Sequence, residues 1–140
     1  MLRTQKIPAP GEIGERIAPV FQGEGLRLVL LFGSAASGRG HSRSDIDLAF
    51  LFDKPINILA LTNEVIGLLS TDNVDVIDLR RASPLLKFAA VKSGKLLYEK
   101  TPGIFNEFCS LAFRMYLDTE KLRIARTRSI RNFLKGRGVI

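Results

Sequence analysis

Apolar residues along the chain change their period several times, and each change marks an element. EIGERIAPVF places Ile13, Ile17, Val20 and Phe21 at spacings of three and four. That is one side of a helix ended near Gly23 and Gly25, with Pro19 inside it as a kink. LRLVLLF (26–32) is a short branched run closed by Gly33, the pattern of a buried strand. SAASGRGHSRS (34–44) is small and polar. It predicts a turn or short helix with Ser34 as its N-cap, then a loop. DIDLAFLF (45–52) is a second strand, stopped by Asp53-Lys54-Pro55. Residues 56–70 carry Ile58, Leu61, Val65, Leu68 and Leu69 at helical spacing, and VDVIDL (74–79) is a third strand. SPLLKFAAVKSG predicts a helix with Ser83 as N-cap, Pro84 at its first position and Gly94 at its end. KLLYEK (95–100) is a fourth strand, and a long helix follows over about 105–134. Strand and helix alternate, so the predicted class is α/β or α+β, a small mixed sheet flanked by helices.

Composition fills in the setting. A length of 140 residues predicts a single domain over 1–140, with a basic helical stretch at about 105–140. Hydrophobic residues make up 46% and charged residues 25%, which excludes a disordered chain. No apolar run reaches the roughly 18 residues of a membrane span. MLRTQKIPAPGE lacks the apolar core of a secretory signal. The single cysteine, Cys109, has no internal partner, and its setting in FNEFCSLAF predicts a small core residue. Together these point to the cytoplasm. The net charge is +7, and it is uneven: Arg114 to Ile140 holds eight Lys or Arg and two acids. A basic partner surface is therefore expected near the C-terminal end.

Asp45 and Asp47 interrupt this picture. Residues two apart in a strand share a face, so the two carboxylates point the same way, about 7 Å apart along the chain. Unpaired carboxylates beside an apolar run repel each other and resist desolvation, which calls for a cation between them. Oxygen donors suit Mg²⁺ or Mn²⁺ rather than zinc, and two carboxylates plus substrate phosphates is a common Mg²⁺ arrangement. Gly33-Ser34 stands just before them, after a strand. Glycine lets backbone approach an anion, free N–H groups at a helix start bind phosphate, and the Ser34 hydroxyl adds a hydrogen bond. Ten residues separate Ser34 from Asp45, giving Gly-Ser-x10-Asp-x-Asp. VDVIDL supplies Asp75 and Asp78, three apart and thus on opposite faces, so only one can join the pair. Asp75, flanked by Val74 and Val76, is the expected one; Asp78 would sit near the strand end by Arg80 or Arg81.

On this motif the chain resembles the minimal nucleotidyltransferases of the DNA polymerase β superfamily, whose hallmark is GS, about ten residues, then DxD. The resemblance runs over roughly residues 10–120, and Asp75 matches its V-D-hydrophobic pattern. It implies a polymerase β-like fold and metal-dependent transfer of a nucleoside monophosphate. Asp45, Asp47 and Asp75 would be catalytic and bind two ions (Mg²⁺ or Mn²⁺), with Gly33 and Ser34 holding the nucleotide, ATP. More narrowly, it implies an antitoxin that adenylylates a tyrosine of a HEPN-type ribonuclease toxin, in a homo- or hetero-oligomer. The chain departs from the family in having Ser37 where a basic loop residue is common; Arg39 or Arg43 would contact the triphosphate, or both would simply be solvated loop arginines. His41, the only histidine, reads as loop surface.

The basic stretch RMYLDTEKLRIARTRSIRNFLKGRG could line Arg123, Arg126 and Lys135 on one helix side, with Leu122, Ile124, Ala125, Ile130, Phe133 and Leu134 for apolar contact. A protein partner fits it better than nucleic acid, since no aromatic-interleaved RNA module is present. The chain is too short for a second acceptor-binding lobe, so the acceptor is expected on another protein. A small-molecule (aminoglycoside-type) transferase would need an acidic pocket, which the basic tail opposes. An antitoxin that blocks its partner without turnover, or a nucleic-acid-binding module, are the non-enzyme alternatives.

Overall fold

A computed structural model of the chain describes residues 8–33 and 45–138. Helix α1 (Pro10–Ile17) gives way to a 3-10 segment, Ala18–Gln22. Pro19 is the reason: it has no N–H to continue the helix and its ring crowds the Glu15 carbonyl, which instead accepts from the Ala18 N–H. The remaining elements are β1 (Leu26–Phe32), β2 (Ile46–Phe52), α2 (Ile58–Leu69), β3 (Val74–Asp78), α3 (Pro84–Ser93), β4 (Lys95–Glu99) and α4 (Ile104–Gly136).

The strands form one mixed sheet in the order β3-β2-β1-β4, antiparallel at β1–β2 and β1–β4 and parallel at β2–β3. The parallel pair is joined through α2, as a parallel crossover requires. Helices cover both faces, which explains why the central strand β1 is apolar almost throughout: Leu28, Val29, Leu30 and Leu31 are all fully buried. On one face Ile13, Ile17, Leu61, Val65 and Leu69 of α1 and α2 pack against Val29, Leu31, Ile46, Leu48 and Phe50. On the other, Ala90 of α3 and Ile104, Phe108 and Ala112 of α4 pack against Leu28, Leu30 and Ala49.

Local signals set the ends of α3. The Ser83 hydroxyl accepts from the Leu86 N–H at 3.2 Å, Pro84 occupies the first turn, and Gly94 follows the last residue. A Cβ at Gly94 would run into the Ala90 carbonyl oxygen, so close backbone approach requires the glycine there. Two expectations are corrected. Cys109 is half-buried at the margin of the core rather than within it, and partial burial pushes its thiol pKa up. Lys135 lies nine residues from Arg126, about two and a half turns, and so on the opposite side of α4 rather than beside it. Among the described residues, no helix is long and apolar enough to cross a membrane.

Candidate active site

Strand register brings the acidic residues together. Antiparallel pairing puts Phe32, the last residue of β1, opposite Asp47. Parallel pairing puts Asp75 of β3 directly beside Asp47 on its other flank. In-register neighbours point to the same face, so the Asp47 and Asp75 side chains stand next to each other. Asp45 is one residue ahead of β2. The Ile46 N–H donates to the Asn73 carbonyl at 2.8 Å, which holds the backbone extended at that point.

The two faces identify the side on which the acids lie. Ile46, Leu48 and Phe50 of β2 and Val74 and Val76 of β3 point into the α1/α2 layer. Asp47 and Asp75 alternate with these, on the same face as Ala49 and Ile77, which pack under α3 and α4. The acids occupy the end of that face, just where the chain leaves β1. Asp78 has the opposite parity and points away. Its Oδ1 accepts from the backbone N–H of Arg80 at 3.0 Å; the contact with Arg80 is a turn hydrogen bond, not an ion pair. Gly33 sits against Asp47 with φ +76°, and a Cβ added there would collide with Asp47 Oδ2. Both the left-handed backbone and the space favour glycine. Ser34, with Arg39, His41 and Arg43, lies outside the described residues.

Asp45 and Asp75 are exposed and Asp47 is half-buried. Burial raises the Asp47 pKa above the usual carboxylate value, and the neighbouring charges of Asp75 and then Asp45 raise it further. Among the described residues the ion pairs are Arg16–Glu12 at 2.7 Å and Lys54–Glu24 at 3.1 Å; neither involves these acids. Nor do any three His, Cys, Asp or Glu side chains among the described residues already converge on one point. Among the described residues the arrangement is an open set of hard oxygen donors with no paired cation, which fits a divalent cation of the Mg²⁺ type.

The sign of the Asp47 effect is testable without any substrate. A raised pKa in the folded state means that folding favours the neutral acid. This contribution is complete below the ordinary pKa of 3.8 and is lost as pH rises through the higher folded-state value. Metal-free protein at pH 7 therefore carries a penalty that Asp47→Asn removes. The substitution is expected to raise the metal-free Tm at pH 7 by about 1–4 °C and to raise it less at pH 4. It should also abolish most of the stabilisation that Mg²⁺ gives the parent chain. A lower Tm for the variant in chelator-treated buffer at pH 7 would count against this account.

Sequence reasoning missed a second feature. Phe88 of α3 stacks on Tyr116 of α4, with centroids 4.0 Å apart, and the Arg123 guanidinium lies 4.2 Å over the other partner of that stack, Tyr116. The spacing of Phe113, Tyr116 and Arg123 on one helix was the available signal. Phe88 gave none, because its partners are distant in the chain.

A sheet of this order carries three acids at one end beside a glycine turn, and the matched family is "Polymerase beta, Nucleotidyltransferase", over residues 15–102. The chain belongs to the polymerase β nucleotidyltransferase family. Among its relatives, the protein adenylyltransferase MntA of Aphanizomenon flos-aquae (strain 2012/KM1/D3) is 29% identical, over 81% of this chain and 84% of that protein. A crystal structure of a toxin–antitoxin with AMP-PNP contains a chain of 29% identity that superposes with a TM-score of 0.75, covering 84% of this chain and 98% of that one. A structure of a tri-AMPylated Shewanella oneidensis HEPN toxin in complex with an MNT antitoxin gives 26% identity and a TM-score of 0.70, covering 86% and 97%.

Proposed function

We propose that this chain is a protein adenylyltransferase that moves AMP from ATP onto a tyrosine hydroxyl of a HEPN-type toxin and so acts as its antitoxin. The observation that carries the reading is Asp47, flanked in register by Asp75 and abutted by the Gly33 turn, with no cation paired to it among the described residues. The relatives support the acceptor class: one is named a protein adenylyltransferase, and another was solved against an AMPylated toxin.

Asp45, Asp47 and Asp75 would hold two divalent ions, Mg²⁺ or Mn²⁺. When bound, such ions offset triphosphate charge and stabilise the attacking and leaving oxygens of an in-line displacement. The chain's own residues do the rest. The Gly33 turn lets backbone approach the phosphates, and Ser34, next in sequence, is the proposed hydrogen-bond donor to them. The phenol oxygen of the acceptor attacks the α-phosphorus of ATP. The bond from that phosphorus to the bridging oxygen breaks, and pyrophosphate leaves with the electron pair. The phenolic proton passes to a nearby carboxylate or to water, and Asp75, the most exposed neighbour of Asp47 in the sheet, is suited to accept it.

The test is direct. The full chain is incubated with Mg²⁺, α-labelled ATP and the product of the neighbouring reading frame, a HEPN-type protein on this reading. Label should appear covalently on a tyrosine of that partner, with loss when EDTA is added, and the partner's ribonuclease activity should fall in step. Silencing of the partner without any label would instead support an antitoxin that works by binding alone.

A further inference from the structure

The whole net charge of the chain sits on one segment. Residues 121–137 hold seven of the 21 lysines and arginines and none of the 14 acids. This segment is the far end of α4, which lies beyond the stretch matched to the nucleotidyltransferase family. The last buried residue of α4 is Ala112, and 24 helical residues follow it, about 36 Å of helix at 1.5 Å per residue.

The side of α4 that holds it to the sheet does not stop there. Ile104, Phe108 and Ala112 form that side. Steps of three and four residues carry the same side on through Leu122, Ile130 and Phe133. These three are 70%, 54% and 56% exposed. Past the Tyr116–Phe88 stack the helix gains little from propensity alone, so a stripe of large apolar side chains continuing into water calls for a covering surface.

Charge decides among possible occupants. A second copy of the tail would set seven cations against seven. Nucleic acid would engage the arginines and leave Leu122, Ile130 and Phe133 in water. A protein groove with an apolar floor and a carboxylate rim satisfies both features at once. Arg126 lies on the stripe itself, between Leu122 and Ile130. Arg137 is already laid over the Phe133 ring at 4.5 Å, an apolar anchor with its cation beside it.

We propose that α4 beyond Leu117 is a docking helix, whose Leu122–Ile130–Phe133 stripe enters an apolar, carboxylate-rimmed groove on the acceptor protein. The identity of that acceptor rests on the function proposed above. The helix gives the small catalytic sheet a grip on its substrate that the aspartate end does not provide.

The test uses the full chain with the neighbouring-frame partner and compares the parent with Leu122→Ser/Ile130→Ser/Phe133→Ser and, separately, Arg126→Glu. ATP- and Mg²⁺-induced thermal shifts equal to the parent's serve as the folding control. The triple variant is expected to raise the KM for the partner about tenfold or more, with kcat at saturation within about twofold. Arg126→Glu should raise KM at low salt, and the difference should shrink at high salt. A triple variant with parental KM and parental complex formation overturns the proposal and leaves adenylyl transfer intact. If the parent binds the partner but transfers nothing, the transfer reading falls. Docking is then decided by complex formation alone, which the triple variant must lose. A parent that does not bind the partner overturns docking. So does a stripe whose substitution abolishes self-association in solution, or one that leaves the partner alone while Arg126→Glu weakens binding of a single-stranded RNA 20-mer.

Discussion

Asp45→Asn with Asp47→Asn is expected to lower AMP transfer to the partner by about 10³-fold or more in kcat, while the protein stays folded. Each substitution preserves shape and removes one charge, so packing around the half-buried Asp47 changes little. What is lost is the negative charge that draws divalent ions to the sheet end. A loss of about 10³ corresponds to roughly 4 kcal/mol of transition-state stabilisation, within what bound metal ions supply. Asp75→Asn should also lower kcat, by about 10²-fold, because Asp75 is the in-register neighbour whose charge Asp47 feels most strongly. Asp78→Asn is the internal control. It stands one residue out of phase with Asp75 and Ile77, on the opposite face of β3, so transfer should stay within about twofold of the parent. Initial rates of label incorporation at saturating ATP and Mg²⁺ compare the three variants with the parent. A double variant retaining a tenth of parental kcat would remove these acids from the chemistry. A loss at Asp78 with none at Asp75 would do the same for the face assignment.

That face assignment shows what a strand pattern can and cannot carry. Alternation in VDVIDL was enough to say that Asp75 and Asp78 face opposite ways, because side-chain parity is a property of one strand. Which of them meets Asp47 depends on the pairing of β3 with β2, which brings residues 47 and 75 side by side across some 28 positions of sequence. The Val-flanked position indicated it, but only the register places it. Helix ends were legible for a related reason. Ser83, Pro84 and Gly94 act through their own backbone or a neighbour three or four residues away, so their effect is written locally. The end of α1 at Ile17 was half legible: Pro19 forbids a regular helix, but the turn into a 3-10 segment depends on which carbonyl accepts next.

Helix α4 shows a different limit of the sequence. Its period predicted a helix of nearly the observed length, and its apolar positions predicted contact. Periodicity reports only that one side is apolar. It does not report whether anything lies against that side, and the sheet is too short to reach past Ala112. Leu122, Ile130 and Phe133, expected from the sequence as apolar contacts for a partner, are surface in the fold. Cys109 was misread on the same grounds, its apolar neighbours being distributed around the helix rather than gathered on its buried side.

Gly33→Ala is expected to damage stability and transfer together, and the reasons are separable. With φ at +76° an L-residue at this position carries backbone strain of about 1–3 kcal/mol. The new methyl would also occupy the place of Asp47 Oδ2. The carboxylate must then rotate away from Asp75, or the end of β2 must move off β1 at the Phe32–Asp47 pair. A displacement of about 1 Å at a reacting centre can cost about 10²-fold, so kcat should fall by about that factor beyond any effect of partial unfolding. A double-mutant cycle with Asp47→Ala separates the two causes. In the Asp47→Ala background the collision is gone and only the strain remains, so Gly33→Ala should cost less stability there than in the parent. If the two costs measured by urea titration are equal, the carboxylate is not what fixes glycine at this position. If Gly33→Ala leaves Tm and transfer at parental values, the turn is not bound to Asp47 at all, and the end of β1 does not position the site.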